Sequence, residues 1–325
     1  MINKRIFFLI LLSTTILAAS KVGTAVYRWA EIETGARAIG MAGSQVASGS
    51  GISAIAYNPA SLGFINGTQI YVSKSSYLAG TSHNTLAFGT AISPSDFVGA
   101  HLYYFDSGEM METTEIDPEG TGQGFKFTGL LLRLSYTKQL TDRLKLGGTF
   151  KYFNEKTTSA DLSMSSVAFD IGSNFDTGIF GMVLGMCISN LGPDARYSGV
   201  GLDVQEEDDQ QKKTDYFPIP LTFRVGIMNN IIGSDEKSAY MMPGHRLTLS
   251  MDAINPLDYK LNGSFGMEYA WKELIFARLG SHLNHDTAGI SAGFGIMYNN
   301  FAIDFGWADY DILENTWQLG LSFDF

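Results

Sequence analysis

His282 and His285, followed at once by Asp286, have a spacing that could ligate a metal, in a stretch read as a loop. No third ligand with a clear role lies nearby, and a polar loop accounts for the group. The acidic run Asp203-Val-Gln-Glu-Glu-Asp-Asp209 could bridge a divalent cation, although a solvated face is the default for such a run. The single Cys187 excludes an internal disulfide framework and any multi-cysteine metal site, and its neighbours place it in a strand as a small inert side chain. No Gly-x-Ser-x-Gly motif occurs. The glycine-rich stretch 35–43 lacks GxGxxG, a following Lys-Ser/Thr and a preceding buried strand, so a phosphate cradle is unsupported. The chain reads as a non-enzyme with no cofactor.

The remaining charges make sense only on the elements that carry them. From Gly67 onward the sequence resolves into about fourteen alternating segments, near 67–78, 83–92, 96–105, 125–137, 143–154, 163–175, 179–189, 217–228, 246–254, 261–271, 274–281, 287–298, 300–308 and 315–325. In the last, Trp317, Leu319, Leu321, Phe323 and Phe325 share one face, opposite Gln318, Gly320, Ser322 and Asp324. Such a strand can set an apolar row against lipid or a core and a small polar row against water. Read the same way, Arg133, Lys151, Arg224 and Arg278 fall on the small-residue row with Asp170, Asp252, Glu268, Asp304 and Asp324. On a lipid face near the midplane, an Arg or Lys would cost about 2–4 kcal/mol. Their confinement to one parity therefore predicts a polar lumen, braced by an ion-pair network that fills space and holds the wall together.

Composition and connections agree. The chain is 45% hydrophobic and 13% aromatic but only 17% charged, with 36 glycines, against roughly 25% charge for a soluble domain. Beyond residue 20, no apolar run approaches the roughly 18–20 residues of a spanning helix, so these features point to a barrel with apolar side chains outward. Tight connections (93–95, 141–142, 176–178, 271–273, 299–300) all follow even segments, and the long ones (106–124, 190–216) follow odd ones. That is the pattern of short periplasmic turns and long external loops. The long 229–245 connection breaks it, as a periplasmic excursion or a local slip in the count. Tyr71, Tyr77, Tyr103, Tyr104, Tyr152, Phe153, Tyr216, Phe217, Tyr269, Trp271, Tyr298 and Trp307 lie near segment ends, as rings at headgroup depth would. A net charge of −11 disfavours nucleic acid.

Residues 1–20 carry Lys4 and Arg5, then the apolar run 6–12 and a small-residue exit at Ala19 or Ser20. This predicts a cleaved secretory signal. The division is then 1–20 signal peptide, 21–66 amino-terminal periplasmic segment and plug, and 67–325 transmembrane barrel. Within the second part, Gly35, Ala36, Ala38, Gly40, Ala42 and Gly43 permit close backbone packing in a narrow space, and Asn58-Pro59 initiates a turn.

Gly35-Ala-Arg-Ala-Ile-Gly-Met-Ala-Gly43 with Tyr57-Asn-Pro-Ala60 resembles the plug signature of the FadL-like outer-membrane proteins. Later motifs, among them Phe217-Pro-Ile-Pro-Leu-Thr-Phe-Arg-Val-Gly226, His245-Arg-Leu-Thr-Leu-Ser-Met-Asp252 and Ile303-Asp-Phe-Gly-Trp-Ala308, are similar to the PorV/PorQ family. The resemblance spans the whole mature chain. It implies a fourteen-stranded outer-membrane barrel with residues 33–63 folded into its periplasmic mouth. Gly35, Arg37, Gly40, Gly43, Asn58 and Pro59 would seat that plug.

Two activities follow from the resemblance. PorV-type relatives bind exported client proteins or machine subunits in type IX secretion, and FadL-type relatives pass fatty acids or other small hydrophobic molecules. The later motifs point to the first as the main expectation. The modest size and few long loops argue against a well-formed hydrophobic pocket. A purely structural barrel is the third reading. Outer-membrane lipid is the expected surrounding in every case.

Overall fold

A computed structural model of the chain describes residues 23–158, 162–199, 212–234 and 237–325. The expected signal peptide and the acidic run 203–209 lie outside the described residues. Fourteen antiparallel strands close into a barrel. They are β1 Thr68–Ser76, β2 Ser82–Ala91, β3 Asp96–Met111, β4 Gly124–Thr141, β5 Leu144–Thr157, β6 Leu162–Asp176 and β7 Val183–Leu191. The second half comprises β8 Thr222–Gly233, β9 His245–Pro256, β10 Asn262–Trp271, β11 Ile275–Leu283, β12 Ile290–Tyr298, β13 Phe301–Asp309 and β14 Asn315–Asp324. Closure is made by β14 against β1, in a register pairing Gln69 with Asp324 and Ser76 with Trp317.

The period-two reading sets the wall. Val72, Leu86, Phe88, Leu134, Leu279, Phe294, Ile303 and Leu321 are exposed on the outside. Arg133, Lys151, Asp170, Asp252, Glu268 and Arg278 are buried on the inside. Asp304, Asp324 and Arg224 share the inner parity and are partly buried. Because each strand pairs with a neighbour on both sides around the ring, the sheet has no open edge strand facing lipid.

Strand height is uneven, and this shapes the interior. β7 and β11 to β13 have 9 residues, about the length that crosses a bilayer when tilted. β3, β4, β5 and β6 have 16, 18, 14 and 15. They rise as a wall on the rim opposite Phe325. The expected loop 106–124 is accordingly shorter than its sequence suggested: β3 continues through a bulge between Asp106 and Glu109 to Met111. The 229–245 connection is an excursion and not a miscount. β8 runs on to Gly233, and Tyr240–Met241 pairs back onto Ile232–Gly233.

The aromatic-girdle expectation needs correction. Tyr104, Tyr152, Tyr269, Trp271 and Tyr298 are exposed outside, but Tyr71, Tyr103 and Phe153 are buried in the lumen. Adjacent strand residues cannot both face lipid, so Tyr103 beside Tyr104, and Phe153 beside Tyr152, had to point inward.

Candidate functional site

Residues 33–63 are largely buried against the inner face of the strands, and the inner glycine rows are what admit them. A short helix α1, Ala36–Gly40, packs on β11 to β14. A Cβ on Gly306 would lie 2.3 Å from the Ala36 carbonyl oxygen, and one on Gly280 would lie 2.5 Å from the Ala42 nitrogen. Across the lumen, Gly185 abuts Val46, Gly172 abuts Asn58, Gly147 abuts Pro59 and Ala60, and Gly99 abuts Ile52 and Leu62. Each of these glycines thus faces a segment far away in sequence.

The residues expected to seat this segment make contacts of different kinds. Arg37 donates through Nε (2.8 Å) and Nη2 (3.2 Å) to the two carboxylate oxygens of Glu268. Its Nη1 donates to Gln45 Oε1 at 2.6 Å and to the Ser48 carbonyl at 3.0 Å. Asn58 is extended (φ −157°), as a residue before proline must be, and Pro59 opens a 3-10 turn over Pro59–Phe64. The Asn58 side chain accepts from the Ala60 amide at 3.0 Å and donates to the carbonyls of Val46 (2.7 Å) and Ser173 (3.0 Å). Gly43 takes φ +71°, where a side chain would also run into Glu33. Gly35 takes φ +101° just before α1, and the Ala36 amide donates to the Tyr71 hydroxyl at 3.2 Å.

The expected lumenal charge network is only partly realised. Glu268 gathers Arg37, Arg278 (2.7 Å) and Arg246 (2.9 Å), and Arg278 also reaches Asp304. Arg246 was not anticipated, although its parity places it with Thr248 and Ser250 on the inner row. Lys151 pairs with Asp170 at 2.7 Å and donates to Asn190 Oδ1 at 2.7 Å, where β7 turns away from β6. Among the described residues, no carboxylate lies in ion-pair range of Arg133 or Arg224. Arg133 instead meets His101 Nδ1 at 3.1 Å, and Arg224 lies over the Tyr57 ring. Asp252 accepts from the Val46 amide at 2.9 Å, and Asp324 accepts from Gln69 at 2.8 Å. No metal cluster forms among the described residues. His282 instead lies 3.7 Å from Glu33.

The feature that sequence reasoning missed is a chamber against the tall wall. It is open to one side, has a volume of about 610 Å³ and is lined by Ala25, Val26, Tyr27, Arg28, Trp29, Ile32, Phe105, Ser107, Met110, Phe127, Glu155 and Tyr197. Trp29 stacks on Tyr103 (5.8 Å between centroids) and Phe105 (6.2 Å), and Tyr27 stacks on Phe153 at 4.8 Å. Gly129 makes room for the indole: a Cβ there would lie 2.5 Å from a Trp29 ring carbon. Trp29 Nε1 donates to Glu155 Oε2 at 2.7 Å, and the Tyr103 hydroxyl donates to the Trp29 carbonyl at 3.2 Å. The modest chain therefore carries an open, largely apolar groove at this rim. The tall strands supply what long loops would otherwise have to. Arg28 and Ile32 also border a second, more polar cavity of about 430 Å³, with Glu33, Tyr57, Arg224 and His282 in its wall.

No protein-family model and no curated protein matches the sequence. Solved structures do match. The toluene transporter TodX of Pseudomonas putida aligns with a TM-score of 0.58 at 13% identity, over 89% of this chain and 96% of its own. The monoaromatic hydrocarbon channel CymD aligns at 0.60 and 12% identity, over 90% and 98%. A FadL homologue of Pseudomonas aeruginosa aligns at 0.56 and 12% identity, over 90% and 99%. At such identities the likeness carries the architecture: this chain has the fold of the FadL-like outer-membrane channels.

Proposed function

We propose that the protein is an outer-membrane channel for small hydrophobic molecules, with residues 33–66 as the plug that closes its periplasmic mouth. The observation that carries this reading is the aromatic chamber of about 610 Å³ at the loop rim, built from residues 25–32 and β3 to β5. Apolar walls with few polar groups are what a small hydrophobic ligand requires. The aligned channels, one a toluene transporter and one a monoaromatic hydrocarbon channel, support the same class of cargo. A ligand leaving the chamber meets the second cavity at Arg28 and Ile32, then the plug. A further cavity of about 610 Å³, at Ser50, Gly67, Gln69, Asn300, Asp324 and Phe325, opens on the other side of it.

Titration of purified protein with toluene, followed through Trp29 emission, tests the reading. Trp271 and Trp317 are exposed outside and Trp307 has the same outward parity, so a ligand-induced change that vanishes in W29F reports the chamber. An emission spectrum unmoved at saturating toluene would refute it. A client-binding role in type IX secretion rests on the PorV/PorQ motif resemblance alone. Co-purification of secreted proteins, with no bound hydrophobic compound, would establish that reading in place of the channel.

A further inference from the structure

The chamber contains an ionisable carboxyl group that a hydrocarbon carrier does not need. Glu155 is only 2% exposed, and no cationic side chain among the described residues lies within ion-pair distance of it. Its carboxylate accepts from Trp29 Nε1 on one oxygen and from the Tyr197 hydroxyl on the other. A carboxylate offers about four acceptor sites, so two remain beyond these bonds, and Glu155 is among the residues that line the chamber. The nearest guanidinium of the lining, Arg28, is already engaged by Glu31 at 2.6 Å and Asp258 at 3.0 Å. Around the acid stand the faces and edges of Tyr27, Trp29, Phe105 and Phe127. An unpaired buried carboxylate is costly, and rings around it offer a second, electrostatic attraction for a cation.

We propose that the chamber is selective for hydrophobic amines, an aromatic ring carrying an ammonium group, and that Glu155 is the residue that sets this preference. The ammonium donates to the free side of the Glu155 carboxylate, while the ligand ring packs among the aromatic side chains. A neutral hydrocarbon of the same shape leaves the acid unpaired. A hydrophobic carboxylate brings a like charge against it. Glu155 also holds Trp29 in place, so a purely structural role must be separable from a selective one. The Glu155→Gln substitution separates them, because the amide oxygen still accepts from Trp29 Nε1 while the charge is gone.

This inference rests on the channel reading above, and one calorimetric comparison tests both. Purified full-length protein is titrated with 2-phenylethylamine at neutral pH, with toluene and with 3-phenylpropanoate. The amine binds at least about tenfold more tightly than the other two, as a charge-assisted contact predicts. In E155Q the ratio of amine to toluene affinity falls to near unity. In Y197F the charge remains and the preference persists, which guards against a loss caused by misfolding of E155Q. Toluene or the carboxylate binding as tightly as the amine would overturn the selectivity and leave the channel reading standing, as would an undiminished amine preference in E155Q. If none of the three binds, the channel reading fails and the selectivity with it.

Discussion

Gly40 of the inserted helix and Gly293 of β12 meet backbone to backbone. A Cβ on Gly40 would lie 2.9 Å from the Gly293 Cα, and one on Gly293 would lie 3.0 Å from the Gly40 Cα. Neither neighbour is the flexible end of a side chain that could move aside. The contact fixes how deep α1 can sit in the wall, and it joins residues with no relation in local sequence.

Gly40→Leu therefore displaces the amino-terminal segment while leaving strand pairing intact. Overpacking of this kind costs about 1–3 kcal/mol, enough to populate an undocked state. Protease access to residues 33–66 and permeability to a small hydrophilic solute should both rise, with the heat-modifiable mobility of the barrel unchanged. Wild-type permeability in the variant would remove the plug role from this segment.

Glu268 is the shared acceptor of Arg37, Arg246 and Arg278. Glu268→Ala leaves three guanidinium groups facing one another, and removing one partner of a buried pair typically costs about 3–5 kcal/mol. Arg37→Ala leaves Glu268 with two partners and should cost less, loosening the segment more than the barrel. Urea unfolding of the two variants, read by barrel mobility, should rank them in that order.

Asn58 is completely buried and both ends of its amide are used, so Asn58→Ala strands the Val46 and Ser173 carbonyls and uncaps the Pro59 turn. The expected cost is about 1–3 kcal/mol. Amide hydrogen exchange at residues 60–65 should speed up accordingly, with the exchange of β5 and β6 unaffected.

Burial pushes the Glu33 carboxyl up from 4.5 to about 8, against the opposing pull of Arg224. Docked, Glu33 keeps its proton; released into water, it ionises near the ordinary value. The docked state therefore holds more protons than the released one between about pH 4.5 and 8, so docking weakens as pH rises through that window and is constant above it. Permeability should climb from pH 5 to pH 8, and Glu33→Gln should flatten the profile. A wild-type profile that falls or stays level would contradict this.

The wall was legible because lipid on one side and a lumen on the other impose a strict period of two, which survives in short segments such as Ile303 to Trp307. The turns were legible because their lengths alternate with strand parity. What local pattern could not show is pairing across the lumen: nothing near Gly293 announces Gly40, and nothing near Gly129 announces Trp29. Residues 25–32 carry no periodicity, so the chamber they complete was invisible, although Phe105 and Glu155 of its wall, and Tyr103 and Phe153 stacked behind Trp29 and Tyr27, share the inward parity. The last residues of β3, Asp106 to Met111, escaped notice because, beyond the apolar band, Ser107 and Glu109 read as loop.

The central claim is passage of a small hydrophobic molecule by way of the Trp29 chamber. The most direct measurement is the initial rate of labelled toluene uptake by cells with an intact lipopolysaccharide outer membrane, with and without this protein and with its W29A variant. The account predicts a saturable, protein-dependent rate that W29A reduces severalfold. Equal rates in cells with and without the protein would contradict it.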